Sequence, residues 1–277
     1  MPELPEVHTI ARGLERQIVG QTIALVDVKA PRAVHGDPAV FSAALAGRRV
    51  ASVGRRAKLL LLDFSPPLTL AVHLKMTGRL YVPARDAQPD KHTHIVFHFE
   101  NVGTPSAPDR LFFHDVRKFG YCRLFAAGEL TQWEFYRRLG PEPLELAPAA
   151  FPELFAGRTA AIKALLLDQR VIAGVGNIYA DESLFRAGIR PDARASTISH
   201  ARRLALGKAL REVLTAAIAA CGSSIRDYRD ASGNAGAFQN SFQVYGRAGR
   251  PCLVCGHTLA AIKVAGRTST YCGRCQK

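Results

Sequence analysis

The sequence predicts a multidomain α+β chain: an N-terminal β-sandwich with flanking helices, then a helical region that ends in a metal-stapled module. Three observations point there. The first half is a series of short Val-, Leu- and Phe-rich runs parted by turn residues. The second half carries apolar residues at helical spacing, and four of the six cysteines crowd into the last 26 residues. With 277 residues, 48% hydrophobic and 22% charged, the chain can bury real cores, which excludes a disordered protein or a small disulfide scaffold.

The elements follow in order. Val7, Ile10, Ala11, Leu14 and Ile18 form one apolar helical stripe that Gly20 ends, so an opening helix should lie against the sheets. Strands are expected at 22–29, 49–64, 68–76, 94–100, 110–114 and 121–125, with turns at Ser65-Pro66-Pro67 and Asn101-Val102-Gly103. The proline-rich stretch from Gly140 to Pro148 reads as a linker. Helices are expected at 160–167, 178–187 and 199–220, the last capped by Ser199, and the Gly-rich stretch 222–236 reads as a long loop. The expected domains are therefore 1–135, a linker at 136–152, a helical domain at 153–242 and the cysteine module at 243–277.

Charge narrows the partner. Thirty-seven lysines and arginines against 23 carboxylates leave a net charge of +14, more than a small acidic metabolite requires, so a polyanion comes first. Residues 231–277 contain no Asp or Glu and carry Arg247, Arg250, Lys263, Arg267, Arg274 and Lys277. Apolar runs such as Leu59–Leu62 are too short to cross a bilayer, and Glu3, Glu6 and Glu15 do not suit a secretion signal. The expectation is a chain that neither crosses a membrane nor is secreted.

Cys252-Leu-Val-Cys255 and Cys272-Gly-Arg-Cys275 have the spacing of two zinc knuckles. Four thiolates close a tetrahedral site around one structural Zn2+ and leave no position for catalysis, and a redox dithiol would need only one pair. Cys122 and Cys221 lie outside the pattern and are expected to be small buried side chains.

At the other end the chain reads Met1-Pro2-Glu3-Leu4-Pro5-Glu6-Val7. Proline and carboxylates suit the first turn of a helix, which is reading enough for an ordinary helix start. The same residues also make a chemical group. Removal of Met1 would leave Pro2 as a free secondary amine with a pKa of roughly 8, so a usable fraction is nucleophilic at neutral pH. Glu3 beside it can move protons.

Taken with the cysteine tail, Pro-Glu-Leu-Pro-Glu-Val resembles the start of the formamidopyrimidine-DNA glycosylase family, bifunctional enzymes that excise oxidised purines and then cut the strand. The resemblance spans the chain. It implies a base-excision repair enzyme in which Pro2 attacks, Glu3 donates a proton, Lys58 assists elimination and Arg267 holds a phosphate for the second cleavage. It also implies that Met76, Arg117 and Phe119, in His73-Leu-Lys-Met-Thr-Gly-Arg79 and Asp115-Val-Arg-Lys-Phe-Gly120, fill the hole left by a flipped nucleotide. The departure at Val116, where many relatives have proline, touches no implied role. Residues 168–189, with Gly174, Gly176 and a capping Asn177, resemble the family's helix-two-turns-helix motif. DNA contacts would come from His73, His92, Arg117, Arg158, Lys163 and Asn177, and residues 222–238 resemble the loop that covers the flipped purine. Glu6 either holds the flipped nucleotide or caps the helix. The expected partner is duplex DNA carrying oxidised bases.

Two other readings compete. The endonuclease VIII branch, acting on oxidised pyrimidines, usually begins Pro-Glu-Gly-Pro and lacks this loop sequence. A non-catalytic zinc-finger DNA-binding protein would explain charge, zinc and helices but not the Pro-Glu terminus.

Overall fold

The computed structural model describes residues 2–100, 107–225 and 228–277, so Met1, the turn expected at Asn101-Val102-Gly103, and Arg226 and Asp227 of the long loop lie outside the described residues. The chain divides into two compact units, residues 1–137 with 221–237, and residues 138–220 with 238–277. Among the described residues, no helix is long and apolar enough to cross a membrane.

In the first unit, α1 (Leu4–Ile18), β1 (Ile23–Val28) and α2 (Pro38–Leu45) precede seven further strands. These are β2 (Arg49–Arg56), β3 (Leu59–Ser65), β4 (Leu68–His73), β5 (Gly78–Tyr81), β6 (Thr93–Phe99), β7 (Arg110–Asp115) and β8 (Tyr121–Ala126), and the short α3 (Glu134–Arg137) follows. They form two four-stranded antiparallel sheets, in the orders β1-β6-β7-β5 and β2-β3-β4-β8. Alternate residues of both sheets meet in one core, with Leu60, Leu62, Leu70 and Val72 from one and Ile95, Phe97, Leu111 and Phe113 from the other. The α1 stripe, Val7 through Ile18, joins the same core.

Two strand expectations change. The run 49–64 is a hairpin, because Ala57 turns the chain with a φ of 55° and Arg56 pairs with Leu59 across the two-residue turn Ala57-Lys58. The run 68–76 is strand only to His73; a tight turn after it opens β5, a strand too short and mixed for its periodicity to announce.

The second unit holds α4 (Ile162–Leu167), α5 (Asn177–Arg186), α6 (His200–Ala219) and the hairpin β9 (Ala260–Val264) with β10 (Arg267–Tyr271). Ser199 caps α6 as expected, accepting from the Arg202 amide. The proline-rich segment is not a free tether: the Gly140 amide donates to Gln169 O, Pro141 O accepts from Ala173, and Arg211 donates to Leu144 O and Leu146 O.

Residues 221–237, expected with the helical domain, pack with the first unit. Tyr228 and Ala231 enter its core, and Gly13 leaves so little room that a Cβ there would sit 2.8 Å from the Ala231 Cβ. Cys122 is buried as expected, but Cys221 is exposed, since α6 ends there in a left-handed turn with a φ of 57°.

Candidate active site and nucleic-acid interface

The N-terminus is built by a capping box. Glu3 is the N-cap of α1 in extended conformation, its side chain accepts from the Glu6 amide, and the Glu6 Oε2 accepts from Glu3 N at 2.8 Å. Pro2, Glu3 and Glu6 are all buried. The second Glu6 oxygen accepts from Ser223 N at 2.8 Å, so one carboxylate both caps the helix and anchors the 222–236 loop beside Pro2 and Glu3. Gly222 is required there: its φ is +81°, and a Cβ would lie 2.9 Å from the Glu6 side chain.

Helix α1 packs on β2 and β3, the hairpin whose turn carries Lys58, and Lys58 is only 8% exposed. Leu59 pairs with His73 at the end of β4. Burial, with the Lys75 and Lys58 charges nearby, pushes the His73 imidazole down to about 3, so it is neutral at physiological pH. Its Nδ1 accepts from the Lys75 amide at 3.1 Å.

Two loops follow β4 and β7. Lys75 precedes Met76 and Lys118 precedes Phe119, both lysines in left-handed conformation with φ values of 52° and 61°. Met76 is half-buried, Arg117 exposed and Phe119 54% exposed, with the Arg117 guanidinium 4.9 Å from the Phe119 ring centre. The Asp115 carboxylate gathers the second loop, accepting from Arg117 N at 3.1 Å, Phe119 N at 2.8 Å and Gly120 N at 2.7 Å, and it accepts from the Thr77 hydroxyl of the first. His92 is half-buried, edge-on to His114 at 5.7 Å.

In the second unit the four cysteine sulfurs lie within 4.8 Å of one another. Cys255 and Cys272 are 3.5 Å apart and Cys252 and Cys275 4.0 Å, and a tetrahedron with Zn–S bonds near 2.3 Å needs about 3.8 Å, so the donor set and its spacing fit one Zn2+. At the far end of β10 from Cys272, the β9–β10 turn, Ala265-Gly266, has φ values of 49° and 72° and places exposed Arg267 at its edge.

Below the hairpin lies a buried ion pair. Lys163 Nζ meets Asp181 Oδ1 at 2.6 Å and donates to Ser269 Oγ at 2.6 Å, while Asp181 Oδ2 accepts from Thr270 N at 3.1 Å. Burial pushes the Asp181 carboxyl up to about 6 against the opposing pull of Lys163. Asn177 donates its side-chain amide to Thr268 O at 3.1 Å, tying the start of α5 to the same strand.

Comparison with known proteins now decides the family. Residues 1–122 match the formamidopyrimidine-DNA glycosylase N-terminal domain, 139–229 its H2TH domain, and 249–277 a zinc finger found in FPG and IleRS. The chain belongs to the formamidopyrimidine-DNA glycosylase family. A relative of that name from Nitratidesulfovibrio vulgaris is 43% identical, with both chains covered in full. A variant of the Lactococcus lactis enzyme in complex with Fapy-dG DNA superposes with a TM-score of 0.91 at 36% identity, covering all of both chains. The Lactococcus lactis enzyme with abasic-site DNA also gives 0.91 at 36% identity, over 99% of each chain.

Within this family frame, Pro2, Glu3, Lys58, His73, Met76, His92, Arg117 and Phe119 lie on the first unit, and Arg158, Lys163, Asn177 and Arg267 on the second. Two expectations change. Lys163, expected at the DNA surface, is 0% exposed and locked to Asp181, so it holds the zinc hairpin in place. Asn177 is the first residue of α5, and Gly176 is the N-cap. His73 is buried and neutral, so what it can offer a phosphate is a ring N–H and not a charge. Arg158 is exposed as expected.

Sequence reasoning missed Asp115, Thr77 and Asp181. Asp115 heads a motif already quoted, and an Asp followed by a Gly turn was the available signal. Nothing local marked Thr77 or Asp181, whose partners come from 38 and 89 residues away.

Proposed function

We propose that the protein is a base-excision repair enzyme that removes oxidised purines, 8-oxoguanine and formamidopyrimidines, from duplex DNA and cleaves the resulting abasic site by β,δ-elimination. The observation that carries this reading is the buried Pro2-Glu3 start of α1, joined through Glu6 to the 222–236 loop, in a chain of this family.

The chemistry runs through the Pro2 nitrogen once Met1 is gone. Its lone pair attacks the sugar C1′, the bond to the damaged base breaks, and Glu3 supplies the proton that the opening sugar or departing base takes up. With the nitrogen's own proton lost to solvent and the C1′–O4′ bond broken as O4′ is protonated, the nitrogen and C1′ form an iminium, which makes the C2′ proton acidic. Loss of that proton expels the 3′ phosphate, and a second elimination expels the 5′ phosphate. Lys58 assists proton transfer. Met76, Arg117 and Phe119 fill the vacated stack, since an apolar wedge and a donor for the orphaned base are what a flipped nucleotide leaves wanting. Arg267, Arg158, His92 and the α5 N-terminus at Asn177 grip phosphates. Zinc, when bound, supplies a fixed fold for the hairpin and no step of the reaction. The protein acts as a monomer on DNA in the cytoplasm.

Excision from an 8-oxoguanine:cytosine duplex against a thymine glycol duplex tests the reading. Release of 8-oxoguanine with nicking at the same site is expected. Preference for thymine glycol would move the chain to the pyrimidine branch, and binding without base release would leave only a DNA-binding protein. Glu3→Gln is expected to slow base release about 10²-fold or more.

A further inference from the structure

Asp115 ends β7 and is 0% exposed, and its carboxylate is filled by donors from two separate loops. Oδ2 holds the Phe119 and Gly120 amides, fixing the backbone on either side of the wedge ring. Oδ1 holds the Arg117 amide and the Thr77 hydroxyl. The Thr77 oxygen in turn accepts from Arg117 N at 3.1 Å, so a single hydroxyl bridges the residue after Met76 to the residue that carries the wedge cation. The Asp115 backbone reaches a third element: its amide donates to His92 O at 2.9 Å and its carbonyl accepts from His94 Nε2 at 2.8 Å.

These bonds hold conformations that the loops would not keep alone. Lys75 and Lys118 are left-handed, a backbone conformation that residues with a Cβ rarely adopt. Gly120 lies so close to the end of β4 that a Cβ would sit 3.1 Å from His73 O and 3.2 Å from Asp115 Oδ2, which draws the second loop against the root of the first. Sheet register makes the bridge possible, because Gly78 pairs with Asp115 and sets Thr77 beside the carboxylate.

We propose that Asp115 and Thr77 form a brace that joins the two loops into one preformed wedge, and that both are positioning residues for nucleotide eversion. This rests on the reading that Met76, Arg117 and Phe119 enter the stack. Prying a base out has to break its stacking, and loops ordered beforehand add no ordering cost at that moment. An abasic nucleotide has no base to unstack, so the brace matters far less there.

The test uses the full-length zinc-loaded protein and three readouts: single-turnover excision of 8-oxoguanine, cleavage of a preformed abasic site, and the fluorescence rise of 2-aminopurine placed next to the lesion. Removing one hydrogen bond to a charged group in Thr77→Val is expected to slow both unstacking and excision about tenfold. Abasic-site cleavage should stay within about threefold of wild type, and Thr77→Ser, which keeps the hydroxyl, should restore excision to within about threefold. Asp115→Asn, where it folds, should slow unstacking more than Thr77→Val. Phe119→Ala separates the two layers. If it slows unstacking while Thr77→Val does not, the brace is overturned and the wedge stands; if it leaves unstacking unchanged, the wedge reading falls and the brace with it. Equal losses in excision and abasic cleavage for Thr77→Val, or no rescue by Thr77→Ser, would also overturn the brace, because they mark general damage.

Discussion

The zinc hairpin and the wedge loops both present an arginine from a tight turn, Arg267 beside Ala265-Gly266 and Arg117 beside Lys118, yet they are secured by different means. The hairpin hangs on four sulfurs set within 4.8 Å and on the buried Lys163–Asp181 pair. The loops hang on backbone amides and one hydroxyl converging on the Asp115 carboxylate. A short hairpin in a carboxylate-free tail buries little apolar surface, so a metal must supply its fold. The wedge loops rise from a sandwich that is already folded and need only local hydrogen bonds.

Stripping the metal should therefore break the comparison most severely. Chelation, or Cys255→Ser, removes on the order of 10 kcal/mol of binding energy from the hairpin. Calorimetry should then show the second unit losing its cooperative transition while that of the sandwich persists; a hairpin that kept its amide protection without zinc would contradict the account.

Next in size is the ion pair. Lys163→Met leaves Asp181 buried without its ammonium, an expected loss of about 3–5 kcal/mol from the second unit by denaturant titration, with much of it recovered when Asp181→Leu is added. The pH dependence has a definite sign. With its folded pKa raised to about 6 from 3.8, the Asp181 carboxyl contributes stability that is fully present below 3.8 and lost as pH rises through 6. The Lys163→Met defect should accordingly be milder at pH 5 than at pH 8.

In the first unit the matching titration runs the other way. The folded His73 pKa is depressed from 6.5 to about 3, so its contribution is present above 6.5 and lost as pH falls toward 3. Acidifying from pH 6.5 to 5 should cost about 1.5 kcal/mol through this one group. His73→Gln should flatten the stability curve over that range, and an unchanged slope would show that another group carries it.

The smallest effect sharpens the contrast in turn chemistry. Lys118→Gly relieves a left-handed lysine and should raise the melting temperature by the equivalent of at most about 1 kcal/mol, if the wedge conformation is as set as the Asp115 bonds make it.

The two regions also differed in how much of them the sequence made legible. Zinc ligands are few, chemically unmistakable and paired at fixed local spacing, so Cys252, Cys255, Cys272 and Cys275 could be read without a structure. The α1 stripe was legible for the same reason, since its periodicity is local. The bridge from Thr77 to Asp115 depends on β5 pairing with β7, and β5 is four residues with no strong alternation. Lys163 misled because lysines are almost never fully buried unless paired, and its partner Asp181 is 18 residues away on another helix. Pro2 could be read as a free secondary amine, but an ordinary helix start explained the same residues; Lys58 carries no physical signature of catalysis in the sequence alone, and only resemblance to the family marked it.

Borohydride trapping on an 8-oxoguanine duplex tests the central claim most directly, with the trapped peptide located by mass spectrometry. The account requires one covalent adduct, on the nitrogen of Pro2, and its loss when an extra residue ahead of Pro2 turns that nitrogen into an amide. An adduct on Lys58 or any other lysine, or one that survives the blocked terminus, would contradict it.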